Sequence, residues 1–143
     1  MSIIKSGSAT YQPLGKAGKG SISTETGALT NHPYGFNSRF EDGKGTNPEE
    51  LIAAAHASCF TMALSLALET AGYQDGKLAT SAKISLDKVD DGFKISQSAL
   101  TLTANVADIS EKELTKIAND AKQNCPVSKL LNAKITLDIK FGQ

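Results

Sequence analysis

Four side chains in this sequence have the types that thiol chemistry requires. Cys59 and Cys125 are its only cysteines, His56 stands three residues before the first of them, and Arg39 is the single arginine beside 14 lysines. A thiol becomes a nucleophile only where its surroundings favour the thiolate. In a composition that otherwise uses lysine, the lone arginine reads either as a position that needs a planar, permanently charged fork or as the chance remainder of a lysine-biased composition. Three residues apart on a helix, His56 and Cys59 are neighbours. That spacing admits a His-assisted thiol, as in cysteine hydrolases, or two ligands of a zinc site completed by Cys125 and His32. The spacings match no strong zinc pattern, so no metal and no cofactor are expected. His32, within "TNHPYG", reads as a turn residue, and His56 as structural or as a support to the thiol.

The stretch that holds Cys59, "AAAHASCFTMAL", is small and apolar, and "TNPEEL" announces the helix that contains it. Asn47 suits the N-cap, Pro48 the first helical position, and Glu49 and Glu50 the positive helix end. Gly72 suits the stop, giving about 24 residues and roughly 36 Å. Between Glu50 and Glu69 lie 18 uncharged residues, enough to raise a membrane span. Alanine, serine, threonine and His56 keep the run only mildly apolar, and acidic residues flank it. The expectation is a central helix surrounded by protein.

Cys125 lies at a helix junction. Ser110 and Glu113 form a capping box, and Leu114, Ile117, Ala118 and Ala121 form an inward stripe that Cys125 extends. Pro126 ends that helix and opens another at "PVSKLLNA", leaving Cys125 at or near its N-cap, where the helix dipole favours a thiolate. Cys59, in mid-helix, has no such help and needs a separate cation. Both cysteines point inward, but 66 positions separate them, and periodicity alone cannot join them.

The remaining elements are strands. β-like pieces fall at Ser8–Gln12, Ser21–Thr26 and Gly35–Phe40. A hairpin turns at Asp90-Asp91-Gly92, with a bulge near Gln97–Ala99 that reconciles the phases of its two apolar faces. Ile135, Leu137, Ile139 and Phe141 alternate with polar residues as a half-buried strand. This order gives an α+β fold with antiparallel sheet, in one domain spanning 1–143.

The formal net charge is +0 and the pI about 6.7, which leaves no global attraction to nucleic acid or an anionic membrane. "MSIIKSGSATYQP" has no basic and apolar export signal, so cytoplasm is expected, where two cysteines suit catalysis, redox sensing or packing better than a structural disulfide. "GKGT" at Gly43–Thr46 lacks the glycine spacing of a phosphate loop, "GKAG" at Gly15–Gly18 has no basic surface behind it, and Asp90-Asp91-Gly92 lacks further calcium ligands. All three read as turns.

Two long blocks, "PYGFNSRFEDGKGTNPEELIAAAHASCFTMALSLAL" and "NCPVSKLLNAKITLDI", each centred on a cysteine, resemble the OsmC/Ohr family (osmotically inducible protein C / organic hydroperoxide resistance). The likeness extends through "KGSISTETG" and "SLDKVDDGF" and favours the OsmC branch. The Ohr branch draws its arginine from nearer the N-terminus, where this chain has only Lys16 and Lys19. The resemblance implies antiparallel sheets packed around a long buried central helix, in an intertwined homodimer with active sites at its interface. It implies a thiol peroxidase that reduces organic hydroperoxides, with Cys59 peroxidatic, Cys125 resolving, Arg39 the site arginine and Glu49 its carboxylate partner. A dithiol reductant, in some relatives a lipoylated protein, would recycle it. The alternative is a redox-sensing or stress-protective protein that forms the same disulfide without turnover.

On one straight helix Glu49 and Cys59 stand about 15 Å apart along the axis and roughly 80° around it. Either the helix breaks near its start, or Arg39 spans the gap, or the two residues of one site come from different subunits; the last is expected. Phe60, Met62 and Ala63, with Leu29, Tyr34 or Phe36 from elsewhere, are expected to form an apolar wall around the thiol.

Overall fold

The structure, a computed structural model, describes residues 1–142. They group into two compact units, Met1–Leu51 and the residues from Ile52 onward.

The first unit is built on a three-stranded antiparallel sheet, ordered β1 (Gly7–Gln12), β2 (Lys19–Thr24) and β3 (His32–Tyr34). Ala9 pairs with Ile22, and Ile22 in turn with His32. His32 is therefore a strand residue rather than part of a turn. The turn precedes it at Asn31, which takes a positive φ of 51° and whose N–H donates to Ser23 Oγ at 2.9 Å. The strand expected over Gly35–Phe40 is instead a short helix, α1 (Phe36–Phe40). Ser38 decides this locally: its hydroxyl accepts from the Gly35 N–H at 2.9 Å and donates to the Gly35 carbonyl at 3.0 Å. Phe36 and Phe40, four apart, bring their rings to 5.0 Å, a contact that a strand would place on opposed reaches of the chain.

Helix α2 (Pro48–Thr70) begins in the first unit and continues through the second. Asn47 Oδ1 accepts from the Glu50 N–H at 2.8 Å, as an N-cap should. At the other end Gly72 adopts φ 100° while its N–H and that of Tyr73 reach back to Glu69 and Leu68, closing the helix in a Schellman turn. By length and composition α2 could cross a membrane, with a mean hydropathy of 1.8 over its most apolar window. One stripe only, His56, Phe60, Leu64 and Leu68, is buried, while Met62 is 66% and Leu66 58% exposed. The helix is apolar nearly all round, so the chain's own core can cover just one of its faces.

In the second unit β4 (Gly76–Val89) and β5 (Gly92–Val106) form the expected hairpin. Its bulge lies one residue from the predicted stretch. Ser85 pairs with Gln97 but Leu86 with Ile95, so Ser96 is the extra residue, and its hydroxyl is held by the Asp87 carboxylate. Beyond it Ser98, Leu100, Leu102 and Ala104 all face inward. Helices α3 (Glu111–Asn124) and α4 (Pro126–Leu130) carry the chain to β6 (Lys134–Phe141). That strand pairs with β5 in parallel, Leu100 against Leu137, so the sheet is mixed. A parallel return requires a crossover, and α3 and α4 supply it. Phe60, Leu64 and Leu68 pack with Leu100, Leu102, Ala104, Leu114, Ala118 and Cys125 in one core.

Candidate active site

In the first unit Arg39 and Glu49 form the bidentate pair that their types allow. Arg39 Nε donates to Glu49 Oε1 at 3.1 Å and Nη2 to Oε2 at 3.0 Å. A lysine could make only one of these bonds. Glu49 is buried, whereas the arginine side chain is 39% exposed, so the carboxylate serves as an anchor and part of the guanidinium remains available to a ligand. Arg39 also stacks on Phe40, 5.2 Å from ring centre to Cζ. The local fold fixes both partners. Asn47, besides capping α2, donates from Nδ2 to the Ser38 carbonyl at 3.1 Å and so ties α1 to the start of α2. Gly45, between them, has φ 113°, and a Cβ there would meet the Pro33 carbonyl oxygen at 2.5 Å; no other residue fits that turn.

In the second unit the structure brings Cys59 and Cys125 together. Both are free thiols. Cys59 is half-buried on α2 against the core, while Cys125 is wholly buried where α3 meets α4. Burial pushes the Cys59 thiol up, and its contact with Cys125 pushes it further, against a weaker pull down from the Val127 N–H. Burial also opposes the Cys125 thiolate, but the Cys59 thiol, the N–H and hydroxyl of Ser128 and the Val127 N–H outweigh it and hold Cys125 below the usual range. Cys125 makes no regular capping hydrogen bond; these groups act by facing its sulfur. Within this unit, then, the surroundings favour the thiolate at Cys125 over that at Cys59. The upward shift at Cys59, in mid-helix, and the downward shift at Cys125, at the start of α4, agree with the helix positions read from the sequence.

His56 is fully buried and touches neither solvent nor metal-binding partners. Its Nδ1 lies 2.6 Å from Ser98 Oγ and its Nε2 2.8 Å from Ser128 Oγ. With both ring nitrogens engaged by hydroxyls, it is not placed as the base of a cysteine hydrolase, nor as a zinc ligand. Among the described residues no three His, Cys, Asp or Glu side chains converge as a metal site. Of the expected wall, Phe60 is buried in the core that Cys59 and Ala63 pack against, while Met62 is exposed. Helix α2 runs unbroken from Pro48 to Thr70, with no break near its start.

Residue type alone does not point to Ser98 or Ser128. A signal for each exists in retrospect: Ser98 is the polar member of an inward row that otherwise reads leucine, leucine, alanine, and Ser128 occupies the third position of a helix opened by Cys125-Pro126.

The model of the OsmC-like protein family matches residues 41–140, a span that contains Glu49 and both cysteines. The chain belongs to the OsmC-like family. It is 53% identical to Peroxiredoxin OsmC of Escherichia coli over 141 residues, 99% of each chain. It is 32% identical to the organic hydroperoxide resistance protein OhrB of Bacillus subtilis, over 85% of this chain and 89% of that one. The higher identity to the OsmC relative agrees with the branch suggested by Arg39. The crystal structure of an OsmC-like protein from Mycoplasma pneumoniae superposes over the full length of both chains with a TM-score of 0.77 at 16% identity, which shows a shared fold.

Proposed function

We propose that this protein is a cysteine-based peroxidase that reduces organic hydroperoxides to alcohols in defence against oxidative and osmotic stress. The observation that carries the reading is the contact between a half-exposed thiol, Cys59, and a buried one, Cys125. The thiol that solvent reaches meets the peroxide first. Its sulfur attacks the distal peroxide oxygen; an S–O bond forms, the O–O bond breaks, and the alkoxide leaves to take up a proton as alcohol. Cys125 then attacks the Cys59 sulfenic acid, forming the disulfide and releasing water. A dithiol, such as a lipoylated protein, returns both thiols.

Cys59 enters this cycle with its pKa pushed up, so a cation has to be brought to its sulfur. Arg39, anchored by Glu49, supplies it. With α2 continuous, about 15 Å of helix lies between Glu49 and Cys59, and the reading places the Arg39–Glu49 pair of one chain beside the cysteines of a second copy. The exposed Met62 and Leu66 stripe gives that copy its seat. Small residues and terminal glutamates on α2 suit a protein partner better than lipid, and the cytoplasm supplies the reducing conditions.

The test is direct. Reduced protein titrated with cumene hydroperoxide should lose two hydrogens per chain and yield a Cys59–Cys125 linked peptide, and with dithiol present it should consume peroxide for many turnovers. Disulfide formation that stops at one equivalent would make it a sensor instead, and no reaction at either thiol would end the reading. Organic peroxides should have the higher kcat/KM, because hydrogen peroxide has no apolar surface to bury.

A further inference from the structure

The buried polar row behind Cys125 has a direction, and that direction assigns it a role. His56 from α2, Ser98 from β5 and Ser128 from α4 meet inside an otherwise apolar core. Burying such groups is costly unless each is satisfied, and among the described residues no buried side-chain nitrogen or oxygen lacks a partner. Burial holds the imidazole pKa below its usual value, so at neutral pH the ring is neutral, with one nitrogen donating and one accepting. Ser128 has a single hydroxyl proton. Ser128 lies in the first turn of α4, three residues after its N-cap Cys125, where its hydroxyl faces the Cys125 sulfur and favours the thiolate; to donate to that sulfur it must itself accept from His56 Nε2–H. The bare Nδ1 must then accept from the Ser98 hydroxyl. The other tautomer would take the Ser128 proton toward the ring and leave the sulfur without it.

We propose that His56 and Ser98 are positioning residues that hold the Ser128 hydroxyl proton on the Cys125 sulfur, and that this one-way row serves the disulfide-forming half of the reaction. The proposal rests on the peroxidase reading above. In the step concerned, Cys125 loses its proton and its sulfur attacks the Cys59 sulfenic acid. The S–S bond forms, the S–O bond breaks, and the departing hydroxide takes up that proton as water. A hydroxyl aimed at the sulfur raises the fraction of Cys125 present as thiolate when the sulfenic acid appears, and it gives no help to the earlier attack by Cys59, whose thiolate a charged Cys125 opposes. The row should therefore separate the two half-reactions.

The experiment is single-turnover oxidation by cumene hydroperoxide with dimedone as trap for the sulfenic acid, on wild type, Ser128→Ala, Ser128→Thr and His56→Gln. In Ser128→Ala the Cys59 sulfenic acid should form no more slowly than in wild type and then accumulate. Disulfide formation should slow about tenfold or more, as expected for a lost hydrogen bond to a charged group. Ser128→Thr keeps the hydroxyl and should restore the second rate. His56→Gln offers a neutral donor and acceptor and should fall between, if it folds; the serine pair stands without it. Equal slowing of both half-reactions, or a wild-type second rate in Ser128→Ala, overturns the proposal while leaving the peroxidase reading intact. A wild-type protein that forms neither sulfenic acid nor disulfide overturns both.

Discussion

Arg39 and His56 hold opposite kinds of charge state, and each makes a separate expectation. Arg39 is fixed through two parallel bonds to a buried carboxylate, a geometry that lysine cannot reproduce. Arg39→Lys should therefore lower kcat/KM for cumene hydroperoxide by at least about tenfold while leaving the thermal midpoint nearly unchanged, since the arginine is more than a third exposed. Steady-state kinetics and calorimetry on the same preparation check both halves. His56 is enclosed and its pKa is lowered by burial. Below the unfolded value of about 6.5, the unfolded chain binds a proton that the folded one resists, so stability should fall as pH drops from 7 toward the folded pKa. The slope from this single site cannot exceed about 1.4 kcal/mol per pH unit. Urea unfolding at pH 7.5, 6.5 and 5.5 should show this decline, and His56→Gln should flatten it.

The helix ends were legible because their signals are local. Asn47-Pro48, the glycine after α2, Ser110 with Glu113, and Cys125-Pro126 each place a cap or a stop within four residues of what it caps, and the structure has an element boundary at every one. Gly35–Phe40 reads as a strand, but Ser38's two bonds to Gly35 outweigh aromatic strand propensity, and nothing in the spacing advertises them. The inward face of α2 was not readable for a different reason. Apolar and small residues surround the whole helix, so the pattern has no phase, and only the partners of Phe60 and Leu64 decide which side is in. Likewise, the hydroxyls beside His56 come from 42 and 72 positions away, beyond any periodic argument. Asn47 offers an informative substitution because its two ends do different things. Asn47→Ala should cost about 1 kcal/mol or somewhat more by loss of the cap, measured from the urea midpoint. Asn47→Asp should keep the cap and its stability but lose the Nδ2 bond to Ser38, so any drop in its kcat/KM reports the tether on α1 rather than the helix.

Met62 and Leu66 present an uncovered apolar stripe along a 23-residue helix, and the proposed second copy is its occupant. Leu66→Glu should shift the protein from dimer to monomer in sedimentation velocity, and if each site draws Arg39 from one chain and Cys59 from the other, activity should disappear with the dimer. An active monomer would place the whole site within one chain. The crossover that carries Cys125 from β5 to β6 has a consequence of another kind. Cys59 lies on α2 before the sheet is laid down, and Cys125 comes 66 positions later, after the hairpin and α3. The disulfide of the proposed cycle therefore closes a loop around most of the second unit. A closure of that length removes about 4 kcal/mol of chain entropy from the unfolded state. The oxidised protein should melt well above the reduced one, which differential scanning calorimetry of the two forms will show. The same energy, read in reverse, makes the bond in the folded protein harder to reduce than in the open chain, by roughly 90 mV. In the proposed cycle the spent, oxidised form should therefore resist heat better than the reduced form that is ready to work.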